Sequence, residues 1–263
     1  MSETRLKDKV VLVTGSTTGI GEAIARLCVR QGARVLIHGR DADRGRQLVE
    51  ALDGRAAMHV DNLEDPAAGQ RLVAAAIAAF GKLDSVVNNA AFVVRSDLDS
   101  TTVELFNRVI AINVRAPLFL IKAALPHLRK TRGTVLNIGS FNAYCGENNL
   151  LAYSISKGGL MTLSRNLADA LSRTGVRVNH FNVGWVLTPN EIQYKIADGM
   201  PPDWYQNVAP ISAPSGQLMK PEEIAQAALY WISPEESRPI TGSVIDLEQY
   251  PALGRNPSKE LFS

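Results

Sequence analysis

Short β-branched apolar runs alternate along this chain with longer stretches whose apolar positions recur every three or four residues. The first run, "VVLVT" at 10–14, leads into "GIGEAIARLCVRQG", which has helical spacing and closes on Gly32, a residue suited to a helix C-terminus. "RVLIHG" predicts a second strand and is followed by a helix near 43–52. "AAMHV" predicts a third, before a helix in "DNLEDPAAGQRLVAAAIAAFG", with Pro66 in its first turn. "LDSVVNNA" is the fourth strand. A long helical pattern then covers 101–129, with Pro117 and Pro126 placed to bend or end it. "GTVLNIGS", a helix over 152–173, "VRVNHFNVG" and "GSVIDLE" complete the alternation.

Strand–helix alternation over nearly the whole length implies a parallel sheet covered on both faces. The expectation is an α/β fold: one doubly wound domain over 1–263 with a seven-stranded parallel sheet. Ligands then bind beyond the carboxyl ends of the strands. The segment 188–220 breaks the pattern with Pro189, Pro201, Pro202, Pro210 and Pro214, and reads as a lid made of a long loop or short helices.

Composition narrows the function classes. At 263 residues, 46% of them hydrophobic, the chain can build a core. A net charge of +2 is too mild to point to nucleic acid or an anionic membrane surface. Cys28 and Cys145 have no paired spacing, and His38, His59, His127 and His180 lie far apart, so neither a disulfide framework nor a metal site is expected. The opening "MSETRLKDKV" has no apolar signal core, and a cytoplasmic protein acting on a small molecule is expected.

The chemistry begins at "TGSTTGIG", 14–21, after a strand and at the start of a helix. Gly15 permits a sharp turn, and bare backbone at Gly19 and Gly21 would let a pyrophosphate approach a helix N-terminus. Dinucleotide-binding βαβ units that take NAD place a carboxylate about 20 residues further on to hold the ribose 2′-hydroxyl. Here Gly39 stands in that place and Arg40 follows. Removing the repulsion and adding a guanidinium suits a 2′-phosphate, so NADP(H) is favoured and NAD(H) remains possible. Arg44 and Arg46, beside Asp41 and Asp43, read as a solvated face.

Tyr153 and Lys157 share one helix face at i and i+4. A phenol of pKa about 10 needs roughly 4 kcal/mol to reach neutrality. One cation about 4 Å away supplies on the order of that at an effective dielectric near 20. Ser140, at the end of the fifth strand, could hold a substrate oxygen.

Glycine loop, strand-end Ser and YxxxK in this order resemble the short-chain dehydrogenase/reductase family, in its compact branch, from about residue 9 to 247. "TGSTTGIG" matches TGxxxGxG, "NNAA" at 88–91 resembles NNAG, and "NVGWVLTP" resembles the PGxxxT segment. The resemblance implies a proton shuttle of Asn113, Ser140, Tyr153 and Lys157, with Asn113 anchoring a water that links Lys157 to solvent. It implies cofactor contacts at Gly15, Thr17, Thr18, Gly19, Ile20, Gly21, Gly39, Arg40, Asp61, Asn62, Asn89, Ala90, Tyr153, Lys157, Gly184, Val186 and Thr188. It also implies a homotetramer or homodimer. The sequence departs from the family at Ala91 for glycine, Val183 for proline, and "LEQY" at 247–250 for VDGG, followed by the atypical "PALGRNPSKELFS".

The implied activity is interconversion of a secondary alcohol and a carbonyl. Polar and aromatic side chains near Ser140 and in the lid suit a sugar- or polyol-like substrate, with Ser140, Asn142, Asn149, Tyr153 and Trp185 as candidate contacts. Two rivals remain. Enoyl reductases of the family separate Tyr and Lys by six residues, and position 160 here is Leu. A non-catalytic dinucleotide sensor on the same fold would have no need of the phenol.

Overall fold

The computed structural model describes residues 4–250, so "PALGRNPSKELFS" lies outside the described residues. Seven strands form one parallel sheet: β1 (Val10–Val13), β2 (Arg34–Gly39), β3 (Ala56–Val60), β4 (Ser85–Asn88), β5 (Thr134–Ile138), β6 (Arg177–Val183) and β7 (Val244–Leu247). Their spatial order is β3-β2-β1-β4-β5-β6-β7, so the chain reverses direction across the sheet between β1 and β4. A crevice opens at that reversal beyond the strand ends, where a parallel sheet binds its ligand.

Period-two geometry explains why β1 is apolar throughout. Val11 and Val13 enter the core on one face, against α1 (Gly19–Arg30) and α8 (Pro221–Ile232), while Val10 and Leu12 enter the other. That second face is closed by α3 (Ala68–Phe80), α5 (Ala116–Thr131) and α6 (Leu151–Leu171). α2 (Ala42–Glu50) connects β2 to β3 and starts where the Asp41 carboxylate accepts the N–H groups of Asp43 and Arg44, at 3.1 and 3.0 Å. Pro66 falls in the turn before α3, not inside its first turn.

The long helical stretch departs from expectation at both prolines. α4 (Val103–Ile110) runs through a π-turn, Ala111–Arg115, directly into α5. Pro117 directly follows the π-turn and Pro126 lies inside α5, and neither ends the continuous helix. Burial of Leu120, Ile121, Ala124 and Leu128 holds that helix together across the lost hydrogen bond. Val103–Thr131 is long and apolar enough to cross a bilayer by length and composition, yet these four side chains belong to the core beneath the sheet.

The 188–220 segment is partly ordered into α7 (Pro189–Ala197) and a short 3₁₀ turn at Trp204–Gln206. Trp204 is its anchor, buried with Ala213 and Leu218 and stacked on Trp185 with ring centroids 5.3 Å apart. The lid therefore has its own small apolar core.

Candidate active site

Two adjoining cavities occupy the crevice. One, of about 300 Å³, is a groove lined by Gly15, Thr17, Thr18, Gly19, Ile20, Gly39, Arg40, Asp61, Asn62, Asn89, Ala90 and Thr188. The other, of about 910 Å³, is a cleft that contains Ser140 and Tyr153. Phe92, Val93, Glu191 and Tyr194 line both, so the two spaces are continuous.

The groove is made mostly of backbone. Gly15 has φ +61°, and a Cβ there would stand 2.8 Å from the Ala90 Cα. Gly19, at φ +59°, leaves α1's first turn open, and Thr18 makes no capping bond to it. N–H groups without a side-chain cap, at a helix N-terminus, suit a phosphate. Gly39 carries no side chain where a Cβ would meet Thr17 at 2.6 Å, and exposed Arg40 follows. These residues fit a nicotinamide dinucleotide. Gly21 has a different role from the one expected: a Cβ there would come within 2.3 Å of the Gly15 carbonyl and 2.4 Å of the Asn89 amide, so its bareness serves internal packing.

Asn89 secures this loop by donating to the carbonyls of Thr14 and Gly15 at 2.9 and 3.0 Å, while the N–H groups of Asn89 and Ala90 donate to the Thr14 hydroxyl. Asp61 reaches the groove's edge, but its carboxylate is held by two bonds from Arg71, each 2.8 Å, which keep its pKa below the usual carboxylate range. Arg44 and Arg46 pair with Asp41 and Asp43 on the surface. Ala91 is exposed at the groove, and its methyl does not crowd the loop.

Sequence reasoning passed over His38. Its ring is buried under the groove, with Nδ1 accepting the Gly15 N–H at 3.2 Å. That bond fixes the tautomer, so Nε2–H donates to the Asp61 carbonyl, also at 3.2 Å. Burial pushes its pKa down to about 4, keeping it neutral. The position could have been suspected from a polar ring in an otherwise apolar strand, just before Gly39.

In the cleft, Ser140 caps the turn Phe141–Ala143 by accepting the Asn142 N–H at 3.2 Å, and its hydroxyl eases ionisation of the Tyr153 phenol, which lines the same cleft. Lys157, one turn along α6, lies with Nζ 5.5 Å from the centre of the Tyr153 ring and donates to the Ile138 carbonyl at 2.9 Å. The expectation that Lys157 lowers the phenol's pKa does not hold in this structure. Burial pushes Tyr153 up to about 12, aided by the charges of Glu191 and Glu147 and opposed by the Ser140 hydroxyl, while burial pushes Lys157 down to about 8. Desolvation disfavours the charged form of each group. Lys157 lines neither cavity.

The Asn113 side chain is held by three hydrogen bonds within the protein. The π-turn points it at the loop after β4, where Oδ1 accepts the Phe92 N–H at 2.8 Å. Nδ2 donates to the Phe92 carbonyl at 3.1 Å and to the Ser156 hydroxyl at 3.0 Å. The side chain thus clamps the β4 loop to the residue before Lys157.

Three further expectations need correction. Asn149 does not line the cleft: it is exposed, and its carbonyl accepts the Ser96 N–H at 2.9 Å. Gly184 lines the substrate cleft and not the cofactor groove. Val186 is buried, with its carbonyl taken by the Thr188 N–H at 3.0 Å, and lines neither cavity. Asn142 and Trp185 do line the cleft. Trp185 Nε1 donates to Glu191 at 2.8 Å. Thr188 lines the groove and caps α7, accepting the Glu191 N–H at 3.1 Å.

A family model described as enoyl-(acyl carrier protein) reductase matches residues 15–248. L-fucose dehydrogenase of Mus musculus is 36% identical over 233 residues, covering 88% of this chain and 84% of its own. An NADP-dependent (R)-specific alcohol dehydrogenase of Lentilactobacillus kefiri is 32% identical over 248 residues, covering 91% and 94%. Among solved structures, a short-chain dehydrogenase/reductase of unknown function from Caenorhabditis elegans, crystallised with cofactor, superposes with a TM-score of 0.83 at 27% identity, over 92% of this chain and 94% of that one.

Proposed function

This chain belongs to the short-chain dehydrogenase/reductase family, and from that premise we propose that it oxidises a secondary alcohol of a small neutral sugar or polyol with NADP(H), and reduces the matching carbonyl in reverse. The observation that carries the reading is that Ser140 and Tyr153 line one cleft of about 910 Å³, which opens into the glycine-lined groove.

The groove residues would hold the dinucleotide, which supplies a hydride acceptor or donor. Thr17 and Arg40 would meet a 2′-phosphate. Ser140 holds the substrate oxygen, and Tyr153 takes or returns its proton. Because the resting phenol is held protonated, Tyr153 is poised as the acid of carbonyl reduction. Lys157, fixed to the Ile138 carbonyl, keeps a titrating amine behind the Tyr153 ring. Asn113, bonded to Ser156 on α6, keeps that geometry rigid.

The relatives support an alcohol-type substrate. One is named for L-fucose and another for alcohols, so a neutral monosaccharide is the first compound to test. Enoyl reduction is disfavoured despite the description of the matching family model, because Leu160 stands where the enoyl enzymes carry their Lys.

A panel of monosaccharides, polyols and simple alcohols, offered with NADP⁺ and NAD⁺ to the wild type and Tyr153→Phe, tests the reading. Turnover of a neutral sugar is expected, falling about 10²–10⁴-fold in the Phe variant with cofactor binding retained. Tight cofactor binding with no turnover across the panel would favour the sensor, and an unchanged rate in Tyr153→Phe would overturn the role of the phenol.

A further inference from the structure

The substrate cleft contains a carboxylate that the reaction does not account for. Glu248 follows β7 and lines the cleft together with Tyr153 and Trp185. It stands in "LEQY", where the family resemblance implies VDGG: Glu248 takes the place of the Asp, and the two glycines after it are replaced by Gln249 and Tyr250. Its place is built by packing: a Cβ on Gly184 would stand 1.8 Å from Glu248 Oε2 and 2.2 Å from its Cδ. A side chain at 184 would push that carboxylate aside.

The other charged side chains in the cleft already have partners. Arg95 donates to Asp198 at 2.9 and 3.2 Å and lies 3.7 Å from Glu147. Lys195 sits over the Trp185 ring, 5.0 Å from its centre, and Glu191 takes the Trp185 N–H. Glu248 forms no ion pair among the described residues. Its Oε1 accepts the Gln249 N–H at 2.7 Å, and Oε2, the oxygen against Gly184, has no hydrogen-bond donor among the described residues. Aromatic surface stands close by: Trp185 adjoins Gly184, and Tyr250 packs edge-on against Phe141 at 5.6 Å.

A half-buried carboxylate oxygen facing aromatic surface is complementary to a hydroxyl donor on an apolar ring face and repels an anion. Resting on the reading above, we propose that Glu248 is the specificity-determining residue of this enzyme: it accepts a hydrogen bond from a hydroxyl remote from the reacting carbon, and so selects neutral polyhydroxylated substrates over acidic ones. Gly184 is the residue that seats it.

The test compares kcat/KM for matched neutral and anionic substrates: a neutral monosaccharide against its uronate, and 1,2-propanediol against lactate. Wild type, Glu248→Gln, Glu248→Ala and Gly184→Ala are measured, with cofactor Kd as the check that each variant is folded. In Glu248→Gln the neutral-over-anionic preference is expected to shrink by about tenfold or more, as loss of a charged acceptor requires. Glu248→Ala is expected to raise KM for the monosaccharide about tenfold with a smaller change in kcat, and Gly184→Ala to reproduce that rise by displacing the carboxylate. Unchanged preference and KM in both Glu248 variants, in an enzyme that turns over the sugar, would overturn the proposal and leave the proposed reaction standing. If no sugar is a substrate, the reaction reading fails instead. The diol–lactate pair then decides: loss of discrimination in Glu248→Gln supports the role of Glu248, and its persistence refutes it.

Discussion

The two halves of the crevice are built from different materials. The groove is a backbone surface, made of a glycine turn, a helix start and two strand ends, and its polar contacts run between main-chain atoms or to Asn89, Thr14 and His38. The cleft is a side-chain surface, assembled from the loop after β4, the turn after β5, α6, the lid and the end of β7. Backbone shape tolerates little change, because a single methyl meets main-chain atoms. Side-chain walls can be replaced one residue at a time, which lets one fold keep its cofactor and change its substrate.

Substitutions on either side of this divide should separate cleanly. Gly15→Ala is expected to have the largest effect, weakening cofactor binding on the order of a hundredfold, because it adds strain at φ +61° and a 2.8 Å approach to Ala90. Fluorescence titration with NADPH reads this directly, and normal affinity would show that the groove is not set by backbone shape. Arg40→Asp comes next: the kcat/KM ratio of NADP to NAD is expected to fall by tens of fold, since the change removes a phosphate partner and adds a 2′-hydroxyl acceptor. A constant ratio would remove Arg40 from cofactor choice.

Arg95→Met tests the cleft alone. Freeing Asp198 and Glu147 from their cation is expected to loosen the contact between α7 and the loop after β4 and raise sugar KM about threefold to tenfold, with cofactor Kd unaltered. A parallel loss of cofactor affinity would show that the two halves are coupled.

The smallest effect concerns acid. His38 and His180 are buried and neutral, each with a pKa pushed down from 6.5 to about 4. The unfolded chain therefore binds more protons between those values. Stability from these two rings is complete above pH 6.5 and declines as pH falls toward 4. His38→Gln should flatten the fall in melting temperature across that window by a few degrees, about 5 °C at most. An equally steep fall in the variant would assign the acid sensitivity elsewhere.

How much was legible beforehand follows the same divide. The strand runs, the glycine turn at 15–21, Ser140 and the Tyr153–Lys157 spacing are local patterns; the fold brings Gly15, Gly19, Ser140 and Tyr153 to the crevice and leaves Lys157 behind its walls. Asn149 was misjudged because nearness in sequence to Ser140 and Tyr153 says nothing about which way a turn faces. The direction of the Tyr153 pKa shift was misjudged because charge spacing can be read from a helix, whereas burial cannot. His38 was overlooked because its partners, Gly15 and Asp61, each lie 23 residues away.

By itself the amino-acid order determined the doubly wound sheet and the glycine turn at its first strand end, and it singled out Ser140, Tyr153 and Lys157, since each depends on short-range periodicity or on residues within one or two turns. Tertiary structure alone decided that Asn113 is a clamp, that Gly21 and Gly184 are bare to accommodate other parts of the chain, and that Glu248 enters the substrate cleft. These depend on contacts between segments far apart in sequence, and desolvation and steric exclusion exist only once those segments have met.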